Sequence, residues 1–154
     1  MKLKSLIPLM FIVVLAMSYN AFAADTGTVN INATVVGTCK FTTNTANINV
    51  SLDPSIGGTV TGSGTLVFWC TKNANYTVSD DDGLYESGAN QNRVFNSTAN
   101  EYIPYAFSYN PTSGTGSGPQ NPINLSVTAS FAQTDYQNAS AGTYTDTVTI
   151  TVNP

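Results

Sequence analysis

Few residues in this chain have the type and spacing for chemistry. Asp80-Asp81-Asp82-Gly83 hints at a calcium loop. Aligning Gly83 with the EF-hand glycine, however, puts Val78 at the first ligand position and Ala89 at the twelfth, so a solvated hairpin turn is the simpler reading. Spacing alone leaves a glycosidase carboxylate pair open, but nine acidic residues mostly in turn-like stretches argue against one. With no histidine there is no imidazole base, no Ser-His-Asp or Cys-His nucleophile and no His-containing zinc site. No catalytic residue, metal site or cofactor is expected.

Cys39 and Cys70 are the two cysteines and lack Cys-x-x-Cys spacing, which argues against redox catalysis. In an exported chain they are expected to form one disulfide, worth about 3.7 kcal/mol in the chain-entropy model; two buried thiols are the alternative. Trp69 and the tyrosines could stack on a sugar, but their strand spacing favours packing. Five Asn-x-Ser/Thr sequons, starting at Asn32, Asn75, Asn96, Asn124 and Asn138, arise readily in a chain this rich in Asn, Ser and Thr.

Export is read from the first residues. Lys2 and Lys4 precede an apolar run from Leu6 to Met17, and Ala21-Phe22-Ala23 fits a signal-peptidase site, so residues 1–23 read as a signal peptide. That run rises about 18 Å as a helix, short of the roughly 30 Å hydrocarbon core, so no membrane anchor is expected. Cleavage after Ala23 leaves 131 of the 154 residues, one domain's worth, with Lys40, Lys72 and Arg93 against nine acids, a charge of −6. Three scattered bases make no nucleic-acid surface.

The elements that must position any site are strands. Val29-Asn30-Ile31-Asn32-Ala33-Thr34-Val35 alternates apolar and polar, Leu66 to Cys70 is a short apolar run, and Tyr76-Thr77-Val78 follows a turn at Asn73–Asn75. Ile103, Tyr105, Phe107 and Tyr109 share a face, and Pro104 marks a sheet edge or bulge. Leu125 to Phe131 alternates, as does Tyr144 to Val152. Turn pairs separate these runs: Asp53-Pro54, Gly57-Gly58, Asp82-Gly83, Asn110-Pro111, Asn121-Pro122 and Ala141-Gly142. Six or seven short strands in this length predict an all-β, antiparallel β-sandwich. Residues 111–119 read as a long, mobile hairpin loop, and no helical periodicity occurs. The strand Thr145–Val152 stands two residues from Pro154 with no following partner, while Val29–Val35 is a spare strand at the start. An exposed edge of this kind is an aggregation site unless a neighbour's strand pairs with it.

The tail Gly142-Thr143-Tyr144-Thr145-Asp146-Thr147-Val148-Thr149-Ile150-Thr151-Val152 resembles the G-x-Y-x-D-x-φ-x-φ-x-φ ending (φ apolar) of the spore coat protein U domain, a family that includes the Csu-type (archaic) chaperone–usher pilins. Residues 26–35 with Cys39, the Trp69-Cys70 strand, Arg93-Val94-Phe95-Asn96 and Ile103-Pro104-Tyr105-Ala106-Phe107 follow in the family's order. The resemblance implies an incomplete immunoglobulin-like antiparallel β-sandwich completed by a donated N-terminal strand. Residues 24–36 would be the donor, with Val29, Ile31, Ala33 and Val35 as its inserting side chains, and 37–154 the pilin domain. Gly142, Tyr144, Asp146, Val148, Ile150 and Val152 would lie on the C-terminal strand bordering the acceptor groove, and Cys39–Cys70 would be the family disulfide. Implied partners are neighbouring pilin subunits, a periplasmic chaperone and an outer-membrane usher; the implied location is a cell-surface fimbrium serving adhesion or biofilm formation. The loops at 112–119 and 133–140 depart from the family's pattern, and Ala33 is small for the middle of a donor strand. The competing readings are a monomeric secreted carbohydrate-binding module and a spore or cell coat protein.

Overall fold

The computed structural model describes residues 23–88 and 91–154. The expected signal peptide therefore lies, but for Ala23, outside the described residues. The chain divides after Ala33 into two units. In the first, residues 23–33 form no regular element and are exposed, with Val29 at 83% and Ile31 at 87%.

The second unit is built on two long strands. β2 (Val60–Cys70) pairs antiparallel with β7 (Ile123–Phe131) in unbroken register from Val60–Phe131 to Phe68–Ile123. Side chains alternate between faces along each strand, so Leu66, Phe68 and Cys70 meet Leu125, Val127, Ala129 and Phe131 on one buried side. The other strands of this sheet are β1 (Cys39–Thr43), β5 (Glu101–Asn110) and β4 (Asn92–Asn96), in the order β1-β2-β7-β5-β4. β5 changes partner midway: residues 106–110 pair with β7, residues 101–105 with β4. Pro104 falls in the half paired with β4, opposite Arg93, which fits the edge expected of it. A second sheet has the order β6-β3-β8, from β3 (Asn75–Asp80), β6 (Ser113–Thr115) and β8 (Ile150–Asn153). All pairings are antiparallel, as the alternation predicts.

Two apolar clusters form the core, and the first joins the two sheets through Tyr76 and Val78 of β3. One gathers Leu66, Phe68, Cys70, Tyr76, Val78, Leu125 and Val127; the other Ile103, Tyr105, Ala129, Phe131 and Tyr136. Each large apolar side chain contributes about 1.5–3 kcal/mol on burial. Cys39 and Cys70 face each other across the β1–β2 pair and are disulfide-bonded.

Three expectations change. The stretch 111–119 is not a free loop, because Ser113–Thr115 forms β6 against Asn75–Thr77. The amides of Asn73, Gly116 and Gly118 donate to the carbonyls of Gly116, Ala74 and Cys70 at 2.9, 2.7 and 3.0 Å. A Cβ on Gly116 would overlap the Cys70 and Thr71 carbonyls, so glycine here serves close backbone approach. Residues 133–140 open with a short helix, α1 (Gln133–Tyr136), pinned by the buried Tyr136, whose hydroxyl donates to the Gly58 carbonyl at 3.0 Å. The C-terminal strand is laddered only as β8, which pairs with β3. Residues 143–149 stay extended with a single bridge, Thr145 to Phe95 of β4, because this stretch crosses from one sheet to the other.

Candidate functional site

Two extended segments face each other without a ladder between them. In Ala46-Asn47-Ile48-Asn49-Val50-Ser51-Leu52 the apolar positions are half-buried and the polar ones exposed. In residues 143–149, Tyr144, Asp146 and Val148 turn inward, and Ile150 continues the row, while the intervening threonines are exposed. Both have the period-two pattern of a strand. Neither is one over most of its length, because among the described residues no backbone ladder runs beside it, the contacts of Thr145 with Phe95 and of Thr149 with Asp81 being isolated.

The space between them is an open groove of about 1130 Å³. Its floor is the inner face of the large sheet, chiefly Ile103, Tyr105, Phe107, Val127, Ala129 and Phe131. Ala46 and Ile48 pack on the first apolar cluster with Ile150 and Val152; Val50 and Leu52 pack on the second with Tyr144 and Val148. The walls therefore run in opposite directions, and an extended peptide laid between them lies antiparallel to one and parallel to the other.

The C-terminal wall is fixed by side-chain hydrogen bonds in place of a ladder. Tyr105 donates its hydroxyl to the Asp146 carboxylate at 2.6 Å, and the amides of Leu84 and Thr147 donate to the same group at 2.9 and 2.8 Å. Glu101 accepts from the amide and hydroxyl of Ser140, both at 2.8 Å, and from the Tyr144 hydroxyl at 2.9 Å. Asp81 accepts from the amides of Thr149 at 2.8 Å and Gly83 at 3.1 Å. The bonds from Ser140 and then Tyr144 hold the Glu101 carboxyl below its ordinary pKa. For Asp81, burial acts upward, but the bonds from Thr149 and Gly83 outweigh it and the net shift is downward. Burial, and then the Asp146 carboxylate, push the Tyr105 phenol upward.

Gly142, Tyr144, Asp146, Val148 and Ile150 line the groove. Val152 sits beside it in β8, opposite Val78. Val29, Ile31 and Ala33 lie in the first unit, and Val35 is 84% exposed. Sequence reasoning missed the opposite wall, although Ala46-Ile48-Val50-Leu52 carries the same alternation that marked the other strands. It also missed Glu101, whose partners lie 39 and 43 residues away.

The family model described as the Spore Coat Protein U domain matches residues 25–151. The chain belongs to this family. No curated protein matches this Spore Coat Protein U domain chain significantly. Among solved structures it is similar to the CsuC–CsuE chaperone–tip adhesion subunit pre-assembly complex from archaic chaperone–usher Csu pili of Acinetobacter baumannii, at 24% identity and a TM-score of 0.46. That match covers 77% of this chain and 40% of the other.

Proposed function

We propose that this Spore Coat Protein U domain protein is a structural pilus subunit that polymerises by donor-strand exchange and has no catalytic role. The observation that carries the reading is the open apolar groove between two strand-like walls that lack a ladder. An extended segment inserted there would pair with both walls and cover the floor. The same chain carries a candidate donor in residues 24–36, where Val29, Ile31 and Val35 are almost fully exposed. Covering two valines and an isoleucine contributes roughly 5–9 kcal/mol before ordering losses. The accepting domain is residues 37–154.

In this reading a periplasmic chaperone occupies the groove after export. At an outer-membrane usher the next subunit's N-terminal strand replaces it, and the product is a surface fimbrium used in adhesion or biofilm formation. The test is electrophoresis of material sheared from the cell surface, in detergent, with and without boiling. A ladder at multiples of the subunit mass that collapses on boiling is expected. A single monomer band in both lanes, with soluble folded protein in the medium, would overturn the reading in favour of a closed binding module. Deleting residues 24–36 is expected to leave a subunit that accepts a strand but donates none.

A further inference from the structure

β2 carries two glycines, Gly62 and Gly64, inside the stretch Val60–Phe68 that pairs without a break with β7. Glycine weakens a strand interior, through its backbone entropy and its missing side chain. Neither residue takes a left-handed φ, so no turn requires it. The reason lies on the inner face. A Cβ built on Gly62 would stand 2.5 Å from Ile48 Cγ2 and 2.6 Å from Val50 Cγ1; one on Gly64 would stand 3.0 Å from Ala46 Cβ. The wall 46–50 is thus bedded on bare backbone, its three apolar side chains filling the places where β2 would otherwise carry its own.

We propose that Gly62 and Gly64 are positioning residues that set the height of this wall above the groove floor, and so decide whether an incoming strand can reach both walls at once. The inference rests on the strand-accepting role proposed above. Carbon atoms pack at about 3.5–4.0 Å, so a methyl group at position 62 lifts the wall by about 1 Å. The opposite wall does not follow, because its own bonds to Tyr105, Glu101 and Asp81 hold it. A donor backbone can then pair with one edge or the other, but not with both. Among the described residues no backbone ladder fixes the first wall's height, since residues 44–52 belong to none.

The experiment uses the full-length exported chain carrying Gly62→Ala and reads the boiling-sensitive ladder. Folding is read separately, from disulfide formation on a non-reducing gel and from protease resistance. The expected result is a folded, oxidised subunit whose ladder falls by at least about tenfold. Val60→Ala, a truncation on the same strand that leaves the wall in place, keeps the ladder, which separates a lifted wall from a general loss of stability. A normal ladder from Gly62→Ala overturns the inference, and so does an equal loss from Val60→Ala. If Gly62→Ala fails to fold, Gly64→Ala, with its milder contact, takes its place under the same criteria. Absence of a ladder from the unaltered chain overturns the groove reading itself, which keeps the two failures distinct.

Discussion

The hydroxyl of Tyr105, in the floor of the groove, donates a 2.6 Å hydrogen bond to the carboxylate of Asp146, in its C-terminal wall. The two residues are 41 positions apart, and the bond ties a buried strand to a segment with only one bridge of its own. Asp146 also receives the Leu84 amide, so the same carboxylate joins the wall to the turn after β3. A charged acceptor strengthens each of these bonds relative to a neutral one.

Tyr105→Phe keeps the ring packed on Phe131 and removes only the hydroxyl. The expected cost is about 1.5–3 kcal/mol, the range for a hydrogen bond to a charged group. Equilibrium urea unfolding of the variant should show a lower midpoint with an unchanged slope. An unchanged midpoint would mean that Asp146 is held by the backbone amides alone.

Much of the large sheet was legible in the sequence, and the reasons are specific. Leu125, Val127, Ala129 and Phe131 alternate with polar residues and face a covered side, so the pattern and the burial coincide. The strand β6 was not legible, because Ser113-Gly114-Thr115 has no apolar face and exists through backbone pairing to β3. The tail's alternation predicted which of its side chains turn inward. It could not show that residues 143–149 lack a ladder, which depends on what lies beside them. Glu101 and Asp81 were invisible as wall supports, since their partners are distant in sequence and an acid in a turn-like stretch looks solvated.

Acid should loosen the C-terminal wall. The Glu101 and Asp81 carboxyls titrate lower in the folded chain than when unfolded, so the stability they contribute is present above the unfolded values. It is lost as pH falls through the folded ones, below the ordinary carboxylate range of about 4. Thermal unfolding followed from pH 7 down to pH 3 should show a falling midpoint. Glu101→Gln should lower the midpoint at pH 7 and flatten the acid limb. An acid limb with the same slope in that variant would remove Glu101 from the account.

The disulfide anchors the other wall. Cys39 is bonded to Cys70 at the start of β1, and residues 44–52 follow β1 directly with no ladder of their own. Replacing both cysteines by serine should cost about 2–5 kcal/mol in unfolding free energy. Because the loss falls at the root of this wall, limited proteolysis should cut first between residues 44 and 52. Initial cleavage in the 111–119 stretch instead would show that β1 holds its place without the bond.

Charge in the proposed donor separates assembly from folding. Ile31 is 87% exposed, so Ile31→Asp should change the subunit's stability by no more than about 0.5 kcal/mol, the usual range at a surface position. Inserted between the walls, the same carboxylate would be buried against Ala129, Phe107 or their neighbours with no cation to meet it, since none of the residues lining the groove is a lysine or arginine. The expected result is a subunit that still co-purifies with the proposed chaperone, because its own groove is untouched, yet yields no boiling-sensitive ladder. A normal ladder would exclude Ile31 from the inserted face. Loss of the chaperone complex would instead place Ile31 in the subunit's own core and make the first unit part of the fold.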